Sequence, residues 1–217
     1  MTATATTTPT TGPSPTTVKP RISRQGLAYF YKIALGAEYG DKARVVKRWV
    51  QPTVTVRVHG TASDSSRACL ARVVSDFNAL TSTTDLALTR QGSADIQLYF
   101  APVTRFRALD RGYVPGNDGF FSTWWTDNAM DKARVLIRTT GIADTIRCHL
   151  IREELTQSMG LMRDANDHPG SIFYGKYLPA PVRYSHLDQE LIRLLYSGAL
   201  DPGDTKAEIR KKVTVAG

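Results

Sequence analysis

One segment constrains the fold more than any other: Ile146-Arg147-Cys148-His149-Leu150-Ile151-Arg152-Glu153-Glu154-Leu155-Thr156-Gln157-Ser158-Met159-Gly160-Leu161. At about 100° per residue, Cys148, Ile151, Leu155, Met159 and Met162 fall on one stripe. Such a stripe faces a core. The opposite side holds Ile146, Leu150, Glu153, Gln157 and Gly160, with His149 at its margin. Arg147, Arg152, Glu154 and Ser158 lie toward the flanks. A solvated face has no use for Ile146, Leu150 and a glycine. The helix is therefore expected to be covered on both sides, with Glu153 and Gln157 in a partly apolar wall.

The segments before this helix alternate between strand and helix signals. Val54–Val58 alternates with period two, as a half-buried strand does. Ser63-Asp64 then offers an N-cap. Leu70, Val73, Val74, Phe77 and Leu80 follow at helical spacing, which predicts an amphipathic helix. Short strands are expected at Leu86–Leu88 and Asp95–Phe100. Gly112–Gly119, with Pro115, Gly116, Asn117 and Asp118, is expected to be a loop. Phe120–Trp125 is a strand by its aromatic content, and Ala133–Arg138 is another by alternation. Thr145–Leu161 is the central helix. Gly26–Leu35 is expected to be a short apolar helix or a packed segment, and further helices are expected at Ser185–Tyr196 and Lys206–Lys212. The order predicts an α+β domain: a mixed sheet with a backing helix, a central helix that carries the candidate site, and a helical C-terminal part.

The chain has 217 residues, of which 41% are hydrophobic and 22% charged. That suits one globular domain. Residues 1–20 are rich in Thr and Pro and are expected to be a disordered tail, with a single domain over 21–217. The tail lacks the basic start and apolar run of a signal peptide. No apolar run approaches the roughly 20 residues of a membrane-spanning helix. The net charge of +8 comes with no nucleic-acid motif, so a basic surface is expected and no nucleic-acid partner. The two cysteines, Cys69 and Cys148, both fall on predicted helices. They are either a disulfide between neighbouring helices or two reduced core cysteines.

A carboxylate in an apolar wall needs a partner, a metal or a catalytic use. A structural pair of Glu153 with Arg138 or another basic residue would satisfy it. Alternatively, His149 and Glu153 are four apart and share a helix face, a spacing that can supply two ligands to one ion. A third would come from Asp164, His168, His186 or Asp188.

The chain resembles an uncharacterised bacterial family, domain-of-unknown-function family 2927, many of whose members are described as lipoproteins. The resemblance lies in Phe30–Trp49, Pro52–Val58, Cys148–Leu161, Asp164, Ser171-Ile172-Phe173 and Leu187–Tyr196, and covers about residues 25–205. More distantly, the central helix is similar to that of the zincin metallopeptidases. Their pattern is His-Glu-x-x-His followed by x-x-Gly. Glu153-Glu154-Leu155-Thr156-Gln157 stands in that register, and Gly160 falls where the glycine would. Glu154 then matches the general base. Glu153 and Gln157 replace two metal-binding histidines, and a neutral amide is a poor zinc ligand.

These resemblances imply a zincin-like fold in a protein of the cell envelope or outside the cell. The first expected function is a degenerate or repurposed peptidase-like domain that binds a peptide or a cell-envelope component. The second is a metal-dependent hydrolase. His149, Glu153 and Gln157 would be its metal-side residues, and Glu154 or Glu153 would activate water. The cofactor stays open, with zinc as the one candidate. Phe120–Trp125 is an ordinary core strand by composition; a peptide edge for strand addition is the alternative.

Overall fold

The computed structural model describes residues 19–176 and 178–216. The expected tail lies outside the described residues apart from Lys19 and Pro20. In chain order the elements are β1 (Arg21–Ser23), α1 (Arg24–Ile33), β2 (Thr53–Gly60), α2 (Asp64–Asn78), β3 (Asp85–Thr89) and β4 (Ile96–Ala101). A 3-10 turn, Val103–Arg105, leads into α3 (Phe106–Leu109). Then come β5 (Gly119–Thr126), β6 (Ala129–Arg138), α4 (Asp144–Gln157), α5 (His186–Leu195), α6 (Lys206–Lys212) and β7 (Thr214–Ala216).

Side-chain caps start most of the longer helices. Ser63 accepts from the Ser66 N–H at the head of α2. Ser185 and Asp188 form a capping box on α5, and Thr205 and Glu208 another on α6. Such caps satisfy N–H groups that have no partner within the helix.

Five strands form a mixed sheet in the order β3-β2-β4-β6-β5. The first four are parallel, and β5 runs antiparallel to β6 with Phe121 opposite Val135. A second, two-stranded sheet pairs β1 with β7 in parallel, Ile22 opposite Val215. The α+β class with a mixed sheet, backing helices and a helical C-terminal part is what the pattern predicted.

The main core lies between this sheet and the helices. Val54, Val56, Ile96, Leu98, Val135 and Ile137 meet Leu70, Val73 and Phe77 of α2 and Ile151 and Leu155 of α4. A smaller cluster of Phe106, Tyr113, Phe120 and Leu136 gathers around the segment between β4 and β5. A disulfide joins Cys69 of α2 to Cys148 of α4, which resolves the cysteine alternative toward the bridged form.

Several boundaries shift by a few residues, and three differences from expectation bear on the site. The central helix stops at Gln157, not Leu161. Gly160 has φ +106°, and a Cβ there would strike the Lys47 carbonyl oxygen. The chain thus turns off the helix where only glycine fits. β6 begins at Ala129 because Asp127 and Asn128, both with positive φ, make a tight hairpin turn. Phe120–Trp125 is no central core strand: it belongs to the edge strand β5, and Trp124 is 41% exposed. Among the described residues no helix is long and apolar enough to cross a membrane.

Candidate functional site

Beyond its exposed first turn the helix α4 is buried on nearly every side. Arg147 and the whole run His149–Gln157 are inaccessible or nearly so. On one flank the Arg152 guanidinium is held by Asp76 at 2.6 Å and lies over the Tyr184 ring. On another, Trp49 Nε1 donates to the Ser158 carbonyl at 3.0 Å. These contacts fix the helix, and with it the direction of its acidic side chains.

A cavity of about 830 Å³ opens between α4 and β5. Its floor is made by His149, Leu150, Glu153, Glu154 and Gln157 of α4, with Asp164. One wall is the consecutive run Gly119–Trp125 of β5. Side chains of a strand alternate between faces, so a cavity lined by consecutive residues runs along the strand's edge. Glu38 and Tyr39, from the loop that follows α1, also line it.

The expected site residues therefore meet in one cavity. His149 Nδ1–H donates to the Pro181 carbonyl at 2.8 Å. That turns Nε2 toward Glu153 Oε2, 3.3 Å away. Gln157 Nε2 donates to Asp164 Oδ1 at 2.7 Å. The Glu154 carboxylate packs against Gly119 at the start of β5. Among the described residues it has no hydrogen bond and no ion pair.

Four of the candidate residues, Arg138, His168, His186 and Asp188, stand elsewhere. Arg138 is not the partner of Glu153; it pairs with Asp118 at 2.6 Å. Among the suggested third ligands only Asp164 reaches the site. His168 stacks edge-on against Tyr29, and His186 is exposed at the first turn of α5. Asp188 is buried as a cap, accepting from Ser171 Oγ at 2.5 Å and from the Ser185 N–H at 2.8 Å. Sequence reasoning missed Glu38 and Gly119. No pattern marks Glu38, whereas Gly119 stands at the junction of a loop and an aromatic strand.

The electrostatics follow from crowding acids in a dry place. Burial raises the Glu154 carboxyl well above the ordinary range, and the charges of Glu153, Asp164 and Glu38 add to the rise. Burial also raises Glu153, with His149 acting in the opposite sense. Asp164 is pushed up to about 8 by burial and by Glu153 and Glu38, against the Gln157 hydrogen bond. For His149 burial acts downward, but Glu153 and the Pro181 carbonyl outweigh it and the net shift is upward.

The donors do not suit zinc. His149 is turned to Glu153 and Pro181, while Glu153, Gln157 and Asp164 offer carboxylate and amide groups. Zinc sites favour thiolate and imidazole ligands, with carboxylate as a supplement. Among the described residues no group of three or more His, Cys, Asp or Glu is placed to hold a metal ion. What the arrangement can do is present an acidic floor beside a strand that, among the described residues, pairs on one side only.

A fold with an open antiparallel edge over an acidic helix defines the class to which the comparisons add a family. The chain belongs to the family described as a protein of unknown function (DUF2927), whose model matches residues 23–215. No curated protein matches it. Among solved structures it is similar to two of myroilysin. One is 12% identical with a TM-score of 0.46, covering 69% of this chain and 82% of that one. The other is 10% identical with a TM-score of 0.49, covering 69% and 86%.

Proposed function

We propose that the chain is a zincin-like binding protein that holds an extended peptide, or the peptide part of a cell-envelope component, in the groove between β5 and α4. The observation that carries this reading is the free edge of β5 along the cavity. An extended segment added there gains main-chain hydrogen bonds, while its alternate side chains meet the floor and the rim. The Cys69–Cys148 disulfide supports an oxidising compartment, in keeping with an envelope or secreted location.

The test is binding of a fluorescent, end-blocked pentapeptide, followed by polarisation. Saturable binding is expected, and it is lost when alternate backbone nitrogens of the peptide are methylated. Equal binding of the methylated peptide, or no binding by either, would reject strand addition.

A metal-dependent hydrolase is the second reading. The arrival of Asp164 beside Glu153 and Gln157 favours it, with Glu154 in the register of a water-activating base. The donor set fits zinc poorly, so no step is derived through a metal. Stoichiometric metal by elemental analysis, with hydrolysis lost on chelation and in Glu154→Gln, would establish it in place of the first.

A further inference from the structure

The floor of the groove holds more acid than the protein itself answers. Glu153 has His149 at 3.3 Å. Asp164 has only the neutral amide of Gln157. Glu38 adds its charge to all three carboxyls of the floor. Glu154 is 7% exposed, lines the cavity, and among the described residues has no hydrogen-bond or ionic partner. Other acids nearby are answered by arginine or lysine: Asp118 by Arg138, Asp110 by Arg134, and Asp41 by Lys47. Of these four carboxyl groups only Glu153 meets a basic side chain, His149. Arg111, Arg134 and Lys176 also line the cavity, but Arg134 is turned to Asp110 and, among the described residues, none of the three forms an ion pair with the four acids.

Ionising a buried acid that has no cation beside it is costly, and a cation that arrives with the ligand offsets that cost. A metal ion needs several donors converging on one point, and the described side chains do not converge in that way. A cation on a flexible arm needs only the charge and room for the arm. The edge of β5 supplies the geometry. A segment paired with it turns every second side chain toward one face. Glu154 lies directly against the strand's first residue, Gly119, so a side chain directed inward from the added segment reaches the floor.

We propose that the groove selects an extended peptide by a lysine or arginine side chain, whose charged end sits on Glu153, Glu154 and Asp164. This rests on the peptide-binding reading above and names the residue that the site reads. An ammonium or guanidinium there makes charge-assisted hydrogen bonds to carboxylates, roughly twice as strong as neutral ones. Arginine adds a planar fork that can span two carboxylates.

The experiment compares three end-blocked pentapeptides with the sequence Val-Thr-Xaa-Thr-Val, where Xaa is lysine, norleucine or glutamate. Binding is measured with the full chain in the presence of a chelator. The lysine peptide is expected to bind at least tenfold more tightly than the norleucine peptide, and the glutamate peptide more weakly than either. In Glu154→Gln the lysine-to-norleucine ratio should fall below threefold. Asp164→Asn should lower it as well, which keeps the test open if either variant folds poorly. Equal binding of lysine and norleucine peptides would overturn the charge selection and leave peptide binding standing. No binding by any of the three would overturn both.

Discussion

The carboxylate of Glu154 lies against the backbone of Gly119, and no Cβ fits between them. At this point floor and wall of the groove meet through a residue without a side chain. Gly119 is not in the left-handed region, so the demand is for space alone. Gly119→Ala should displace either β5 or the Glu154 side chain. Overpacking of this kind costs about 1–3 kcal/mol, to be read from urea unfolding. In the Glu154→Ala background the same substitution should cost less, because the obstructing carboxylate is gone. Costs that simply add would show that the contact is not the reason for glycine.

The acids of the floor make stability depend on pH with a definite sign. Asp164 holds its proton in the folded chain up to about pH 8, against an ordinary value of 3.8. Between those values the folded chain binds more protons than the unfolded one. The contribution of Asp164 is present in full below the ordinary value and is lost as pH rises toward 8. Glu153, Glu154 and His149 are also raised and act in the same sense. Asp164→Asn should therefore flatten the fall in unfolding free energy between about pH 4 and pH 8, by at most one proton's share of the slope. Parallel curves for the two proteins would show that Asp164 titrates normally.

Local rules made much of this legible. Val54–Val58, the Ser63 cap and the alternation over Ala133–Arg138 each predict an element that forms, because each is decided by neighbours in sequence. The double coverage of α4 was also legible from Ile146 and Leu150 opposite Ile151 and Leu155. The edge position of β5 was not. Aromatic content is the same for a core strand and an edge strand, and only the strand order separates them. The pairing of β1 with β7 joins residues nearly 200 positions apart through strands of three residues, too short for any periodicity. Glu38 reaches the floor from an irregular loop, where no spacing rule applies. The turn at Asp127-Asn128 was not expected: it lacks the glycine of the strongest hairpin signals, although Asp and Asn tolerate the positive φ they adopt there.

The disulfide offers a prediction about the helix pair behind the site. Cys69 and Cys148 are 79 positions apart, so their bridge removes much freedom from the unfolded chain. Loop-closure entropy puts its contribution on the order of 4 kcal/mol. Cys69→Ala with Cys148→Ala should lower the unfolding free energy by that order, and reductant should do the same to the wild type but not to the double variant. A wild type equally stable with and without reductant would refute the bridge as a source of stability.

One buried acid belongs to no groove. Asp188 is fully buried at the head of α5. It accepts from Ser171 Oγ at 2.5 Å, from the Ile172 N–H at 3.1 Å and from the Ser185 N–H at 2.8 Å. Ser171 in turn accepts from the Tyr29 hydroxyl at 2.9 Å and the Phe173 N–H at 3.0 Å. One carboxylate thus ties α1, the Ser171–Phe173 turn and the start of α5 together. Ser171-Ile172-Phe173 and the start of α5 are thus two halves of one buried joint. Asp188→Ala leaves those buried donors unmatched, at about 1–3 kcal/mol for each group stranded. The loss should appear in urea unfolding as a lower midpoint. Asp188→Asn should recover part of it, since an amide oxygen can still accept, although its NH₂ has no evident acceptor in place of the second oxygen. If alanine and asparagine were equally mild, the carboxylate would not be what holds the joint.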